Sequence, residues 1–516
     1  MTKISENRYD EYQYRSMPFE ESAPGNIAAV AKLFGLAPVA IEKARVLELG
    51  CASGGNLIPH AITNPDASFV GIDLSESQIT SGQKLLNRLS LENVTLAAMP
   101  LEQIDETLGK FDFIIAHGLF SWVPESTQIR IFDVIENHLS ETGLAYVSFN
   151  TLPGWHLVNY TRDLMNYGAR TEKSLADKAK VARQTLKNLL NATDGDEGIH
   201  TGLLRSESAI LDSKEDFYLI HDHLADDNRP MLLEKFVRMA LEKNIYFVSD
   251  ADIQTMFTDN FSPAIRKFVE VEPDRVSRQQ MLDFCLNRRF RKAILSKTPI
   301  LKEEPAPSSL DGLHFRCQLA NHTPFSKSNL FDQSSMKFRT VHGTILQASG
   351  KLTKQVIFIL ASLDGSSLSK ETLTQQIKRL SIGQDIGEFE EKLERTLLTL
   401  IRKGVVKVKS EPDKFNIKIG AEPEASALAR EQSTAGEIVT NLRHQNVKLN
   451  RQERFVLPFL NGKKSLEQIA IEITHVSSKK LPANHPIAIT ASKGEKHLLQ
   501  ELNMMLKGFR KNGLLM

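Results

Sequence analysis

Residues 45–56, RVLELGCASGGN, constrain this chain more than any other stretch. They read as a strand, a glycine-rich turn and the first turn of a helix. RVLEL is apolar enough to lie in the middle of a sheet. Gly50, Gly54 and Gly55 let the backbone turn sharply and come close to a ligand, because none carries a Cβ. The following helix offers unpaired N–H groups and the positive end of its dipole. Eighteen residues after Gly55, a second strand, SFVGID, ends in Asp73. A carboxylate there can accept hydrogen bonds from both hydroxyls of a ribose. The pattern implies a nucleoside-containing cofactor at the carboxyl edge of a doubly wound sheet.

Two readings of the turn compete. As G-x-G-x-x-G it is Gly50, Ala52, Gly55, and it lacks the middle glycine that admits a pyrophosphate. As acid-x-G-x-G-x-G it is Glu48, Gly50, Ala52, Gly54, again with alanine in the middle. Glu48 favours the second reading. A carboxylate in an apolar strand is costly unless hydrogen-bonded, and the turn offers it a partner. This second pattern resembles the class I S-adenosylmethionine (SAM) methyltransferases. It suits a cofactor without phosphates that carries a sulfonium and an amino-acid end. The plain alternative is a glycine turn with no ligand.

At 516 residues the chain is too long for one core, and two to four domains are expected. Lys+Arg is 64 and Asp+Glu is 63, so no global field draws it to nucleic acid or anionic membrane. The first residues, MTKISENRYDEYQYRS, lack a signal-peptide core. No apolar run approaches the roughly 20 residues that span a bilayer. Cys51, Cys285 and Cys317 are far apart and form no C-x-x-C, which fits a reducing cytoplasm.

Residues 1–44 read as an accessory arm, with Tyr9, Tyr12 and Tyr14 preceding a helix over about 26–36. An aromatic arm can lie over a cofactor site or pack as plain surface. Residues 45–195 are expected to form the cofactor-binding domain, with strands at 45–49, 68–73, 93–98, 111–116 and 144–150. Helical spacing covers 75–89 and 126–139. Ligands bind beyond the carboxyl ends of such strands. Those ends carry residues 50–56, Asp73 with Leu74, Met99 with Pro100, HGLFSWVP and SFNTLPGW. Both tryptophans, Trp122 and Trp155, fall in the last two. With Phe120 they either belong to the core or wall a pocket that holds an amine by cation–π attraction and excludes water.

The words YDEYQYRSMPF, RVLELGCASGGNLIP, FVGIDLSESQI, FDFIIAHGLFSWVP, VSFNTLPGW and FYLIHDHLADDN carry a longer likeness. From residue 9 to about 297 the chain resembles bacterial class I methyltransferases with a methyltransferase regulatory domain. That group includes rickettsial protein lysine methyltransferases acting on outer membrane proteins. The resemblance implies SAM as cofactor, held by the turn, Asp73 and the loop after the fourth strand, and dimerisation through elements outside the sheet. The cofactor set is then Glu48, Gly50, Ala52, Gly54, Asn56, Asp73, Leu74, Met99 and His117. The fold class is α/β: a Rossmann-like class I methyltransferase sheet, a mostly helical middle region, and α+β winged-helix-like C-terminal modules.

Residues 156–195 read as a basic-spaced helix and 196–297 as the regulatory region, with a further strand at 244–248. His221, Asp222, His223, Asp226 and Asp227 cluster there. Histidines two apart do not share a helix face, so a hydrogen-bonding cluster is favoured over a metal site. Residues 298–310 read as a linker. Beyond it LTKQVIFILASLDGSSL aligns with LNRQERFVLPFLNGKKSL, and each half closes on a similar helix. Two winged-helix-like modules follow, at 311–420, with VVKVKS as a wing, and at 436–516, where a strand is truncated or borrowed. The mixed-charge helices KETLTQQIKRL and KKSLEQIAIEI argue against a nucleic-acid partner.

Methyl transfer needs an unprotonated, aligned nucleophile, and a dry aromatic pocket favours the free form of a lysine amine. Tyr9, Tyr12 and His117 are candidates to take the proton, with Asn150 orienting the amine and Trp122 and Trp155 as walls. Three functions follow: a methyltransferase acting on a protein, one acting on a small molecule, or a non-catalytic SAM sensor. The large accessory regions favour a protein substrate, with possible homodimerisation and no membrane insertion.

Overall fold

Arg45–Leu49 (β1) runs through the middle of a seven-stranded sheet in the computed structural model. The structure describes residues 15–320, 328–341, 343, 345–380, 389–415, 418–482 and 484–516. The other strands are Ser68–Asp73 (β2), Val94–Ala98 (β3), Phe111–Ala116 (β4), Leu139–Asn150 (β5), Tyr246–Asp250 (β6) and Phe290–Ser296 (β7). Their order is β3-β2-β1-β4-β5-β7-β6. The first five are parallel, and β7 runs antiparallel between β5 and β6. β1 lies between two neighbours and under helices, so Val46 through Leu49 are all buried. Glu48 stands opposite Gly71 of β2 and Ile115 of β4.

The sequence missed β7 and placed β6 two residues early. FRKAILS carries two adjacent cations, which disguise a strand. In the fold Arg291 is fully buried, and its guanidinium meets Asp283 at 2.7 and 2.9 Å. β6 starts late because Asn244 takes a left-handed φ of 53° after the helix Leu233–Leu241. β5 starts at Leu139, where the helix Glu125–His138 runs directly into it. The region expected to be regulatory thus supplies the last two strands of the sheet.

The helix Pro24–Leu33 is apolar all round. Pro24 starts it, and all its residues but Lys32 are buried. It packs on β5 and β6 on one side and on the first C-terminal module on the other. Helices Gly154–Gly168, Leu175–Ala192 and Ile199–Asp212 build a separate small core around Met165, Ala182 and Leu204. After them a single π-helical turn, Leu219–His223, leads back toward the sheet.

In the first C-terminal module His314–Cys317 (β8) lies between Leu368–Ser369 (β11) and Val406–Lys409 (β12), all antiparallel. A hairpin of Met336–Arg339 (β9) and Ile345–Ala348 (β10) and the helices Lys351–Ala361, Lys370–Leu380 and Phe389–Arg402 complete it. The expected wing VVKVKS is β12. The second module opens with the helix Ala427–Ala435, capped by Ser426, and a hairpin of Ile438–Thr440 (β13) and Asn446–Lys448 (β14). The chain end borrows its strand contact from upstream. Leu515 bridges to Ala425, and the Met516 N–H donates to the Glu424 carbonyl at 2.8 Å. The 298–310 stretch is tied down by ion pairs Arg278–Glu303 and Arg402–Glu304 and by buried Leu310. Among the described residues no helix is long and apolar enough to cross a membrane.

Candidate cofactor and acceptor site

A cavity of about 670 Å³ opens at the carboxyl ends of the parallel strands. Its near half is the glycine turn. Gly50 and Gly54 adopt φ of 74° and 79°, and Ala52 between them adopts 48°. The Ala52 N–H donates to Asp73 Oδ2 at 2.7 Å, and the Ser75 N–H donates to Asp73 Oδ1 at 2.9 Å. The end of β2 and the turn therefore hold each other in place. Gly55 is needed for a different reason. A Cβ there would meet the Ser16 carbonyl carbon and oxygen at 2.7 Å, where the N-terminal segment crosses the turn. The Gly55 N–H donates to Ser16 Oγ at 2.7 Å and the Phe19 N–H to Asn56 Oδ1 at 2.9 Å.

Glu48 is 3% exposed and its Oε1 accepts from Asn56 Nδ2 at 2.7 Å. Burial pushes its carboxyl up to about 8; the Asn56 hydrogen bond opposes this and the Asp73 charge adds to it. Among the described residues its Oε2 has no hydrogen-bond partner, and Glu48 lines the cavity. A buried orphan carboxylate oxygen on a cavity wall fits a ligand with a cationic, N–H-bearing end. Asp73, exposed Leu74, Met99 and His117 line the same half, and the SAM donor set fits it. Gly54 is absent from the wall; a Cβ there would face Ile58 and Leu96.

The His117 ring stacks on Phe19 with centroids 3.7 Å apart, and its Nδ1 lies 2.9 Å from the Tyr146 hydroxyl. Burial, aided by the Lys292 charge, lowers this imidazole to about 3 and keeps it neutral. Asn150 is buried on the wall, and its Nδ2 donates to Asn228 Oδ1 at 2.9 Å. Trp122 and Trp155 meet edge to face at 5.8 Å and both line the cavity. Arg162 lies 5.9 and 6.0 Å from the two rings, so an internal cation already occupies one side of the pair. Phe120 belongs to the core instead, fully buried among Phe132, Phe149 and Phe236. Tyr9 and Tyr12 lie outside the described residues.

The far half of the cavity adds to the two tryptophans residues that were given no catalytic or cofactor role from sequence. Tyr218, His221, Asp222 and His223 stand on its wall beside Glu207 and Arg289, which pair at 2.5 Å. The π-helical turn carries three of them, and Arg162 clamps it by donating to the Asp222 and Ala225 carbonyls. Burial raises the Asp222 carboxyl to about 7 against the pull of Arg162 and Lys214. Burial, with the charges of Arg162, Arg289 and Arg183, lowers His223 to about 3. The signal for this half was the word FYLIHDHLADDN, whose spacing alone does not show that it folds onto the strand ends. Among the described residues no group of three or more His, Cys, Asp or Glu is arranged to hold a metal ion.

Three family models match the chain. Residues 47–145 match a methyltransferase domain, 215–297 a predicted methyltransferase regulatory domain, and 422–514 the PKMT C-terminal winged helix domain. The uncharacterized protein RP789 of Rickettsia prowazekii is 28% identical over 523 positions, covering 100% of this chain and 94% of that protein. The uncharacterized protein RP028 of the same organism is 33% identical, covering 47% of this chain and 96% of that protein. The structure of PKMT2 from Rickettsia typhi in complex with AdoHcy superposes with a TM-score of 0.86 at 26% identity. That match covers 97% of this chain and 99% of PKMT2.

Proposed function

The chain belongs to the class I SAM-dependent methyltransferases that carry a methyltransferase regulatory domain, and on that premise we propose that it methylates lysine amines of a protein substrate. One observation carries the proposal. A single cavity runs from Asp73 and the glycine turn to a chamber walled by Trp122, Trp155, Tyr218 and Asp222. The likeness to a protein lysine methyltransferase, PKMT2, extends over the accessory modules as well as the sheet.

In this reading Asp73 would accept from ribose hydroxyls, and Leu74 and Met99 would hold the base. Glu48 would hold the ammonium of the amino-acid end through Oε2, and that charge would draw its carboxyl back down. Bound there, SAM supplies an electrophilic methyl on a sulfonium that leaves as a neutral thioether and calls for no acid. Gly50, Ala52, Gly54 and Asn56 shape the cradle, and His117, neutral and stacked on Phe19, shapes its lip. Trp122 and Trp155 exclude water and disfavour the charged form of the incoming lysine. Asn150, held by Asn228, orients the amine. Asp222 takes the proton, because its carboxyl is held near 7, the range that suits a general base at neutral pH. Tyr9 and Tyr12 remain proposed contributors from the N-terminal arm. Free Cys51, Cys285 and Cys317 suit a reducing cytoplasm, and homodimerisation through elements outside the sheet belongs to the same reading.

The test is incubation of the full chain with radiolabelled SAM and a bacterial protein extract. Discrete labelled proteins with methyl-lysine in their mass spectra are expected. Label confined to small molecules, or to other side chains, would overturn the lysine assignment.

A further inference from the structure

We propose that the second winged-helix module is a working part of the cofactor site and acts through His444, a positioning residue for Asn56 and Glu48. The inference rests on SAM binding alone, whatever the methyl acceptor is.

The turn between β13 and β14 presses against the helix that follows the glycine turn. His444 is 4% exposed there, and its ring stacks on His60 with centroids 3.9 Å apart. Its Nε2 lies 2.7 Å from Asn56 Oδ1. The direction of that bond follows from its neighbours. The Phe19 N–H can only donate, so the Asn56 atom facing it at 2.9 Å is the oxygen, and His444 Nε2 donates to that same oxygen. Ser22 Oγ completes the set, 3.3 Å from Oδ1 and 3.0 Å from Nδ2. The Asn56 amide is thereby turned so that Nδ2 reaches Glu48 Oε1. The other Glu48 oxygen has no hydrogen-bond partner among the described residues, and Glu48 lines the cavity. A hydrogen-bonded line thus runs from the C-terminal module to the acid of the glycine motif, across 388 residues of chain.

The turn is built to be seated. His444 adopts a left-handed φ of 63°, which is uncommon for a non-glycine residue. Asn441 Oδ1 accepts from the Arg443 and Gln445 N–H groups, both at 2.9 Å. Arg443 donates to the Asp364 carbonyl at 2.8 Å and the Lys511 carbonyl at 2.7 Å. Gln445 Nε2 donates to Glu20 Oε2 at 2.8 Å. One turn therefore ties both C-terminal modules, the N-terminal segment and the cofactor turn together. Losing the His444 donor leaves the Asn56 amide held by the Phe19 N–H and Ser22 alone and loosens its hold on Glu48. Module movement and SAM affinity are then coupled, and by linkage each changes the other by the same factor.

Calorimetric titration of SAM into the full chain tests this. His444→Ala is expected to weaken SAM binding by up to about tenfold, the scale of one lost buried hydrogen bond. His444→Gln, which keeps an N–H donor, is expected to recover most of that affinity. A merely structural role would lower the melting temperature in both variants without separating their affinities. Hydrogen exchange on the unaltered protein decides the matter if the alanine variant does not fold. Saturating SAM should slow exchange at residues 441–446 as well as in the glycine turn. Unchanged SAM affinity in a folded His444→Ala variant, or exchange at 441–446 indifferent to SAM while the glycine turn responds, would overturn the proposal. A wild-type chain that binds no SAM would overturn the cofactor reading itself.

Discussion

At the residue scale, the roles of single side chains are set by what they lack. Glu48 has one oxygen without a partner among the described residues, and Asp222 has burial without enough cations to offset it. An ionised Asp222 is the form that accepts a proton, so turnover should rise with pH through about 7. Replacing Asp222 by Asn should remove that limb and lower the rate by about 10²-fold or more. The pH profile of kcat/KM at saturating SAM reads both effects. Gly55 is a second single-atom case. Gly55→Ala drives a methyl into the Ser16 carbonyl group, which is backbone and cannot swing aside. Displacing the N-terminal segment should weaken SAM binding by about 1–3 kcal/mol, measured by calorimetry. Glu48, Gly50 and Asp73 were legible from spacing, because one strand–turn–strand unit presents all three. Asp222, Tyr218 and Arg289 were not, because no local period relates a π-helical turn near residue 220 to a loop near residue 120.

At the element scale, β7 shows how a strand can hide. Its Arg291 is fully buried, with Asp283 on two nitrogens, Asp250 at 3.6 Å, and Arg288 also paired to Asp283 at 2.7 Å. Breaking such a set strands a buried charge. Arg291→Ala should therefore cost about 3–5 kcal/mol of unfolding free energy, checked by urea denaturation. The contact between the β13–β14 turn and the helix Ile58–Thr63 makes a pH prediction. Burial holds His60 at about 3 and His444 well below its usual value, with Lys407, Lys409 and Lys414 nearby adding in the same direction. Glu411 lies on the same strip and Glu20 stands across it, held at about 2 because Arg316, Lys407 and Gln445 outweigh its burial. Both histidines have folded pKa values below their unfolded one. Their contribution is fully present above pH 6.5 and is lost as pH falls from there toward the folded values, since the unfolded chain binds the extra protons. His444→Gln should flatten the fall in unfolding free energy as pH drops below 6.5, by an amount that approaches about 1.4 kcal/mol per pH unit relative to the unaltered chain.

At the scale of the whole molecule, the cores do not follow the sequence blocks. One core joins the helix Pro24–Leu33, a face of the sheet, and the first C-terminal module through Phe315, Leu360 and Leu400. The second module closes its own core around Leu457, Ile473 and Leu502. Residues sharing a core exchange cooperatively. Native-state hydrogen exchange should therefore show the sheet and first module opening together, with the second module opening at lower free energy. Protection of Leu400 and Val46 at clearly different free energies would contradict this.

The sequence by itself determined the parallel β/α unit, the cofactor class and the carboxyl-edge location of the site. Each depends on short-range periodicity, a glycine turn and a carboxylate at a set distance, all properties of contiguous chain. It also indicated a winged-helix domain at the C-terminal end, because its helical pattern is local. Only the tertiary structure decided that residues 246–296 finish the sheet, that Phe120 is core while Trp122 and Trp155 wall the cavity, and that Asp222 faces it. The same holds for His444 reaching Asn56. These are meetings between segments tens to hundreds of residues apart, and they are selected by burial and by the pairing of buried polar groups. A one-dimensional pattern carries the demand for a partner, such as the lone acid in RVLEL or the arginine in FRKAILS, but not the partner's address.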